Sequence, residues 1–405
     1  MASVKTQIRN LLPSVDTRGV PPHQKTPSGK TQILHLNYTL GQTDQSMATE
    51  MAYIHFLAQT GKALGLRLVI LTHPTNHPEL ERELAQDADD RLEYTLLHSQ
   101  HPVSKWAEDS VEYLANGDVA VLIPFDEPLL ARAMTDGRQQ RWAGMIAPEH
   151  LAAALQDDDL WVPLGVRVNT LKTGAERELL AQTAGQHVGH IRAYIEGGNL
   201  IAGEDAAGQP IILVGKDAIS ATAHIYQLSD DEVRQLISED FGLDIDQIIS
   251  VEQPGKFHLD MGLLFIGHGV VIVNHSQAAL QDAIEMAEMV PCLTTETMAA
   301  KLQLQVALEE VAANDLTVAG LEVRREKLEN DVQYNFFNGE FVEGQDGCTY
   351  YLTNGGPQEQ MAKFQALMVQ DWQVVKNVIF SPPAIAQKSL QERGGLGCRL
   401  KGAVG

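Results

Sequence analysis

The chain has 405 residues, of which 44% are hydrophobic and 20% are charged, a composition typical of a globular protein with a large core. Its 30 Lys and Arg and 53 Asp and Glu give a formal net charge of −23, and no basic cluster interrupts this acidity. Because nucleic-acid binding needs basic surface to release counterions from phosphates, a nucleic-acid partner is not expected. The sequence contains no apolar run of about 18 residues, the length that would predict a membrane span. It also lacks the apolar segment of a signal peptide after the N-terminus. The sequence therefore predicts a cytoplasmic protein with no membrane partner.

The three cysteines, Cys292, Cys348 and Cys398, lie far apart and lack Cys-x-x-Cys spacing. Such a sparse, odd-numbered set argues against a disulfide framework and against a structural zinc site. Neither Cys292 nor Cys348 has neighbours that suggest chemistry, so both are interpreted as structural. Cys398 lies in a Gly-rich segment near the C-terminus and is the candidate nucleophile.

Residues 1–30 are rich in Pro, Ser, Thr, Lys and Gln and have no hydrophobic period, which predicts a flexible N-terminal tail or a strap on the surface. From Gln32 onward, short β-rich runs alternate with helical periods. One β-rich run contains Gly267 and Gly269, as expected of a hairpin. The predicted strands lie at 33–36, 66–71, 119–123, near 212, within 263–273, and at 332–341, 350–353 and 374–380.

Helices are predicted over 46–64, over 276–313 as a pair, and over 358–370. A further helix begins after Ser229, which forms a capping-box pattern with Glu232, and it ends at Gly242. This alternation predicts an α/β fold with weak repetition of a ββαβ unit. No linker composition appears after residue 30, so residues 31–405 are predicted to form a single domain with a helical insertion at about 276–325.

Four short stretches place a carboxylate, an imidazole or a thiol beside glycine or tryptophan. Each is ambiguous alone, because loop acids, His-Asp pairs and buried thiols also occur for purely structural reasons. The stretches are 105–110 with Trp106 and Asp109, 194–200 with Glu196 and Asn199, 256–262 with His258 and Asp260, and 394–399 with Cys398.

Each stretch also predicts a local geometry. Gly197 and Gly198 permit positive φ and close backbone approach, so Glu196 is expected at a sharp turn. His258 and Asp260 begin a predicted strand, where residues two apart project from the same face. Around Cys398, backbone N–H groups of the Gly-rich segment are expected to line a pocket.

In chain order, the set consists of Asp109 three residues after Trp106, Glu-Gly-Gly-Asn at 196–199, His-x-Asp at 258–260 and the Gly-rich cysteine. This set resembles the guanidine-modifying superfamily, which includes arginine deiminases, agmatine deiminases, bacterial peptidyl-arginine deiminases, dimethylarginine hydrolases and amidinotransferases. The resemblance spans residues 32 to 405 but is carried by four short motifs, and it is closest to the agmatine and bacterial peptidyl-arginine deiminase branch. It implies the pentein fold, a five-bladed α/β propeller of ββαβ units.

The resemblance implies a cysteine-dependent deiminase that acts on arginine or an arginine derivative. Cys398 would be the nucleophile and His258 the general acid and base, with Glu196 orienting the imidazole. A guanidinium stays protonated at physiological pH, so Asp109 and Asp260 would bind its N–H groups as carboxylates.

Trp106 and Asn199 are the further candidates for substrate binding, and the tryptophan could stack on the guanidinium. The expected partner is a small cationic guanidino compound or a peptidyl arginine, in a monomer or a homo-oligomer. Neither a metal nor an organic cofactor is needed for this chemistry.

Two departures from the branch leave the substrate open. Glu108 stands where Arg usually precedes the aspartate, and Gly397 and Arg399 flank the cysteine where His and Ser or Thr are common. A free amino acid would also need a cation for its carboxylate, and Arg192, Arg399 and Lys401 are candidates. The alternatives are an amidinotransferase, which passes the amidino group to an amine, and a non-catalytic pentein that only binds.

Overall fold

The computed structural model of the protein describes residues 19–39, 44–87, 92–122, 127–155, 164–254, 258–326 and 334–405. The chain divides into two compact units whose segments alternate along the sequence. The first unit comprises the described parts of Met1–Gly19, Ile123–Val162 and Ile191–Asn330, and the second those of Val20–Leu122, Pro163–His190 and Asp331–Gly405. The single domain of residues 31–405 stays a prediction, and its contiguous boundaries differ from these units.

The strands alternate with helices along the described residues. The strands are β1 (Ile33–Tyr38), β2 (Arg67–Thr72), β3 (Tyr94–His98), β4 (Val111–Tyr113), β5 (Val119–Leu122), β6 (Val188–Ile191), β7 (Leu200–Glu204), β8 (Pro210–Gly215), β9 (Ile248–Val251), β10 (Leu263–Phe265), β11 (Val270–Asn274), β12 (Glu322–Glu326), β13 (Gly339–Glu343), β14 (Thr349–Thr353), β15 (Asn377–Phe380) and β16 (Leu400–Ala403). The helices are α1 (Asp44–Leu64), α2 (His77–Asp87), α3 (Glu127–Trp142), α4 (Pro148–Leu155), α5 (Leu164–Thr183), α6 (Lys216–Tyr226), α7 (Asp230–Phe241), α8 (Gln277–Met289), α9 (Leu293–Val318), α10 (Gln358–Ala366) and α11 (Pro383–Gln391).

One topology recurs in four of the five sheets that the described residues form. Two strands pair antiparallel, one or more helices follow, and a third strand then pairs parallel to the second strand. In the first unit β7, β8 and β9 follow this rule, as do β10, β11 and β12. In the second unit β13, β14 and β15 follow it, and β16 with β1 and β2 does so across the chain ends. The α/β class predicted from the sequence is confirmed.

The helical pair near residue 300 has a different role from the one predicted. The sequence suggested an insertion at about 276–325, but α8 and α9 are the crossover that makes β12 parallel to β11. Parallel neighbours need such a connection, so these helices belong to the repeated unit. The final residues of the predicted insertion, from Glu322, already form β12.

Each unit has its own apolar core. In the first unit, side chains from β7 to β12 pack with α9, and Leu213, Phe265 and Leu316 are completely or almost completely buried. In the second unit, strands β1 and β2 pack on α1, and Leu36, Leu57 and Leu68 are fully buried. Among the described residues, no helix is long and apolar enough to cross a membrane.

Several local predictions are confirmed. Ser229 and Glu232 form the capping box of α7, and Gly242 ends that helix with φ of +64°. Gly267 and Gly269, with φ of +90° and +73°, make the turn between β10 and β11. The strand predicted at 332–341 is confirmed only at its end, because β13 begins at Gly339, and residues 332 and 333 lie outside the described residues.

Of the two alternatives predicted for the N-terminal residues, residues 19–30 correspond to the strap and not to the flexible tail, whereas residues 1–18 lie outside the described part of the chain. Pro22 forms a β-bridge with Leu114, and the His23 N–H donates to the Tyr113 carbonyl at 2.8 Å. His23 and Thr26 are buried. The polar, Pro-rich composition suggested disorder here. The contacts that order the segment are with a strand distant in the sequence, and composition cannot reveal them.

Candidate active site

The candidate residues share one place in the topology: each lies just before the first strand of an antiparallel pair. These are Asp109 before β4, Glu196 and Asn199 before β7, His258 and Asp260 before β10, Asn338 before β13 and Cys398 before β16.

In the first unit, the turn that carries Glu196 is built around Gly198. Glu196 has extended backbone and precedes a short 3₁₀ helix, Gly197–Asn199, that runs into β7. Neither glycine has positive φ, so that part of the prediction is wrong. Close approach is the real requirement, because a Cβ added at Gly198 would lie 2.4 Å from His258 Nδ1 and 2.8 Å from Asp260 Oδ1.

A buried hydrogen-bonded chain links three side chains of the first unit. His258 Nε2 lies 3.1 Å from Glu196 Oε2, and the Tyr194 hydroxyl donates to Glu196 Oε1 at 2.5 Å. Tyr194 is itself fixed by its backbone N–H, which donates to Thr222 Oγ1 at 2.9 Å. Glu196 can therefore orient the imidazole and stabilise its protonated form. Tyr194 was not singled out in the sequence, although it lies two residues before Glu196.

His258 and Asp260 reach the same place by a route that differs from the prediction. His258 precedes a 3₁₀ helix, Leu259–Met261, so the pair does not lie on an extended strand. Both side chains are nevertheless buried against Gly198. Imidazole and carboxylate groups are also of the types that bind metal ions. A cofactor-free reaction stays a prediction.

Asn199 lies in the same turn, and its side chain packs against Gly215. Its backbone N–H donates to the Glu196 carbonyl at 2.8 Å. A Cβ added at Gly215, at the end of β8, would lie only 2.5 Å from Asn199 Oδ1. This packing gives Asn199 a structural role in the turn, and its role in substrate binding stays a prediction.

In the second unit, Cys398 is held by one asparagine at two points. Asn338 Nδ2 donates to Cys398 Sγ at 3.2 Å, and Asn338 Oδ1 accepts from the Cys398 backbone N–H at 3.1 Å. Cys398 is buried, in a 3₁₀ helix, Gly397–Arg399, that leads into β16. An N–H donor to sulfur stabilises a thiolate, which is the nucleophilic form.

The glycines before Cys398 serve packing. A Cβ at Gly395 would lie 2.5 Å from Asn338 Oδ1 and 2.6 Å from Asn354 Nδ2. The Leu396 N–H donates to Asn354 Oδ1 at 2.9 Å, and the Cys398 N–H is taken by Asn338. The expectation that these N–H groups line a pocket is therefore wrong for both, because asparagine side chains occupy them.

Asp109 is buried in the turn before β4, next to the Cys398 segment of its own unit. The Glu108 N–H donates to the Cys398 carbonyl at 3.3 Å, which ties the two turns together. Trp106 is also buried, and a Cβ added at Gly394 would lie 2.4 Å from its ring. Lys105 Nζ lies 4.9 Å from the ring centroid of Trp106. These contacts favour a packing role for Trp106, whereas its stacking on a substrate stays a prediction.

The residues that depart from the branch pattern are paired inside the protein. Glu108 forms a buried ion pair with Lys25. Arg399 is buried, forms an ion pair with Glu50 and places its guanidinium 3.7 Å from the ring centroid of Tyr53. The charges of Glu108 and Arg399 are therefore both neutralised by partners within the protein.

The other two cations considered for a substrate carboxylate also have partners in their own units. Lys401 pairs with Glu112 at 2.7 Å. Arg192 pairs with Asp240 at 2.6 Å in the first unit, and burial raises the pKa of Asp240 to about 6 although the guanidinium opposes this.

The other two cysteines differ from Cys398 in exposure. Cys292 is exposed at the start of α9, where hydrogen bonds with Thr295 lower the pKa of its thiol. Cys348 is half-buried in the turn between β13 and β14. Thiol reagents will therefore reach Cys292 readily, and labelling experiments on Cys398 need a Cys292→Ser background.

Two solved structures are similar to this chain over nearly its whole length. One, a structural-genomics target provisionally named an agmatine deiminase, has 13% sequence identity and a TM-score of 0.59 over 95% of this chain and 96% of that one. The other, agmatine deiminase of Enterococcus faecalis, has 12% identity and a TM-score of 0.54 over 95% and 96% of the two chains. The chain thus has a mixed α/β fold similar to that of the pentein enzymes.

The likeness is one of fold. No protein-family model matches the sequence. No curated protein matches it either. At such low identity the fold does not assign an activity, which has to be argued from the side chains.

Proposed function

We propose that the protein is a cysteine-dependent deiminase that hydrolyses the guanidino group of a small cationic compound or of a peptidyl arginine. The observation that carries this proposal is the buried pair of His258 and Glu196 at 3.1 Å, beside Asp260 at Gly198. Cys398, with the Asn338 donor on its sulfur, supplies the nucleophile type that this chemistry requires. The five-bladed pentein arrangement of the repeated units is part of the same proposal.

In the first half of the proposed reaction, Asp109 and Asp260 bind the guanidinium N–H groups. The thiolate of Cys398 attacks the guanidinium carbon and forms a C–S bond, which gives a tetrahedral intermediate. Protonated His258 donates its proton to the departing nitrogen, the C–N bond breaks, and ammonia leaves. An S-amidino intermediate remains on Cys398.

In the second half, a water molecule attacks the same carbon while neutral His258 accepts a water proton. The C–S bond then breaks and the remaining hydroxyl proton passes to solvent, which returns the thiolate and releases the neutral ureido product. Throughout, Glu196 stabilises the imidazolium and Tyr194 holds Glu196. Acid–base assistance of this kind contributes about 10²–10⁴-fold to a rate.

The ion pairs of three basic side chains support one class of substrate. Arg192, Arg399 and Lys401 each have a carboxylate partner in their own unit, so none of them is offered to a substrate carboxylate. This favours guanidines without a nearby carboxylate, such as agmatine or an arginine inside a peptide. The activity in the names of both similar structures, agmatine deiminase, makes agmatine the first compound to test.

The test is ammonia release from agmatine, free arginine, methylated arginines and arginine-containing peptides. Wild type is compared with Cys398→Ala and with the matched control Cys348→Ala. We expect one substrate class to release ammonia with a ureido product, Cys398→Ala to be inactive, and Cys348→Ala to keep wild-type activity. Full activity in Cys398→Ala would exclude the covalent mechanism.

Two other outcomes would replace the proposal. A new guanidine formed from an added amine would identify an amidinotransferase. Failure of a haloacetamidine to label Cys398 in the folded Cys292→Ser protein, together with no ammonia from any compound, would identify a pentein that only binds.

A further inference from the structure

The segment of residues 20–32, which we call the N-terminal strap, is built into the second unit. The Ala115 N–H donates to the Pro21 carbonyl at 2.9 Å, which fixes the strap beside β4. Farther on, the Glu343 N–H donates to the Thr31 carbonyl at 2.8 Å, and the Gln32 N–H donates to the Ala403 carbonyl at 3.2 Å. The strap therefore contacts the ends of β4, β13 and β16, the strands that follow Asp109, Asn338 and Cys398.

Lys25, in the middle of the strap, forms an ion pair with Glu108 inside this unit. The side chain of Glu108 is fully buried, and that of Lys25 is only 11% exposed. Glu108 is also fixed through its backbone, because its N–H donates to the Cys398 carbonyl at 3.3 Å. Glu108 thus links the strap to the Cys398 turn. Its carboxylate contacts Lys25 of the strap, and its backbone N–H contacts the Cys398 carbonyl.

The neighbouring charges show why Lys25 is the cation that matters here. Glu112 is paired with Lys401 at 2.7 Å, and Glu340 lies 3.5 Å from the Thr31 hydroxyl. Burial lowers the pKa of His23, another basic side chain of the strap, to about 4, so it is neutral at physiological pH, and the third one, Lys30, is exposed. Lys25 therefore supplies the charge that the strap brings to Glu108.

Removing that charge would leave Glu108 buried without its counterion. A buried charge that loses its partner is strongly unfavourable, so the carboxylate would move toward water or take up a proton. Either response pulls on the turn that also contains Asp109 and on the bond from Glu108 to Cys398. The strap and the two turns are therefore mechanically coupled.

We propose that Lys25 is a positioning residue, which through Glu108 holds the Asp109 turn against the Cys398 turn. The N-terminal strap is then part of the catalytic apparatus, although it contacts no substrate. The inference rests on the proposed function for its kinetic consequence. Its structural consequence, the ordering of the two turns, is independent of which reaction the protein catalyses.

The experiment compares Lys25→Met, Lys25→Arg and Lys30→Met in the full-length chain. Lys30 is the matched control because it is an exposed lysine of the same strap. The readouts are kcat and KM for ammonia release per folded molecule, thermal unfolding, and amide hydrogen exchange of segments 104–110 and 394–400. Hydrogen exchange needs no substrate, so it decides the positioning role even if the proposed function fails.

We expect Lys25→Met to lower kcat by about 10–100-fold, because a misplacement of about 1 Å at a reacting group can cost about 100-fold. Exchange should become faster in both segments. Lys25→Arg, which keeps the charge, should retain most of the kcat and the slow exchange, and Lys30→Met should match wild type. Lower thermal stability of Lys25→Met with unchanged kcat and unchanged exchange in both segments would overturn the proposal and leave Lys25 with a stabilising role alone.

If wild type releases no ammonia while Lys25→Met still speeds exchange in both segments, the proposed function fails and the positioning role stands. If wild type is active and Lys25→Met equals Lys30→Met in kcat and in exchange, the positioning role fails and the proposed function stands.

Discussion

Asn338 grips Cys398 at both ends of the residue: its amide nitrogen donates to Sγ at 3.2 Å, and its carbonyl oxygen accepts from the backbone N–H at 3.1 Å. The first contact favours a sulfur with negative charge, and the second fixes where that sulfur points. Gly395 is needed for this grip, because a side chain there would collide with Asn338. The Gly-rich segment and Asn338 thus act together to position Cys398.

Replacing Asn338 with Asp separates these two contacts. Asn338→Asp keeps an oxygen that can accept from the Cys398 N–H, but it replaces the donor to Sγ with a second negative charge. Like charges disfavour ionisation, so we expect alkylation of Cys398 by iodoacetamide to slow by about 10–100-fold at pH 7. The rate is measured by peptide mass spectrometry in a Cys292→Ser background. Asn377→Asp, on the exposed face of β15, is the matched control, and equal rates in the two variants would refute the role of Asn338.

Tyr194→Phe tests the chain that ends at His258. The substitution removes the hydroxyl that donates to Glu196 Oε1 at 2.5 Å and leaves the ring in place. A hydrogen bond to a charged group stabilises by about 1.5–3 kcal/mol, so we expect kcat for ammonia release to fall by about 10-fold or more. Tyr226→Phe, which removes a donor to the Arg192 carbonyl at 3.2 Å in the same unit, should keep the wild-type kcat.

The parts of the fold that the sequence could predict are those decided by neighbouring residues. The capping box of Ser229 and Glu232 lies within one helical turn, and the hairpin at Gly267 and Gly269 needs only a local turn conformation. Some first strands of antiparallel pairs could not be predicted; β4, for example, has only three residues. Such short strands carry too little pattern to be recognised without their partners.

The same distinction holds for the candidate site. Glu196, His258 and Cys398 stand in motifs whose residue types suggest chemistry. Asn338 stands 60 residues from the cysteine that it holds, and nothing in its own surroundings separates it from an asparagine in a turn. Lys25 escaped notice for the same reason, since long-range pairing leaves no local trace. Tyr194 is different, because it lies only two residues from its partner Glu196 and local reasoning could have found it.

Gly198→Ala tests whether the glycine of the Glu196 turn is required for close approach. The added methyl group would lie 2.4 Å from His258 Nδ1, so the imidazole must shift away from residue 198, which disturbs its contact with Glu196. We expect kcat for ammonia release to fall by about 100-fold, the cost of misplacing a catalytic group by about 1 Å. Gly208→Ala is the control, because that exposed turn glycine has φ of +77° with no atom near the added methyl group. It should lower stability by about 1–2 kcal/mol without lowering kcat, and a similar loss of kcat in both variants would contradict the prediction.

Glu340, on β13, is a buried carboxyl group of the cluster that contains Glu112 and Lys401. Burial raises its pKa from 4.5 to about 7, against the opposing effects of Lys25 and Lys401. The folded state therefore keeps a proton that the unfolded state has already lost between these two pH values. The free energy of unfolding must fall as pH rises through this window, by about 3 kcal/mol in total.

Glu340→Gln removes this titration while keeping the shape of the side chain. We expect the free energy of unfolding of the variant, relative to wild type, to rise steadily from pH 4.5 to 7 and then to level off, because only wild type has a carboxyl group to ionise there. Urea denaturation at half-unit steps from pH 4.5 to 8 measures the difference directly. Glu343→Gln, on the same strand but only half-buried, is the control for loss of a glutamate. A constant difference between Glu340→Gln and wild type across this range would show that Glu340 is already ionised in the folded protein at pH 4.5 and that its partners outweigh its burial.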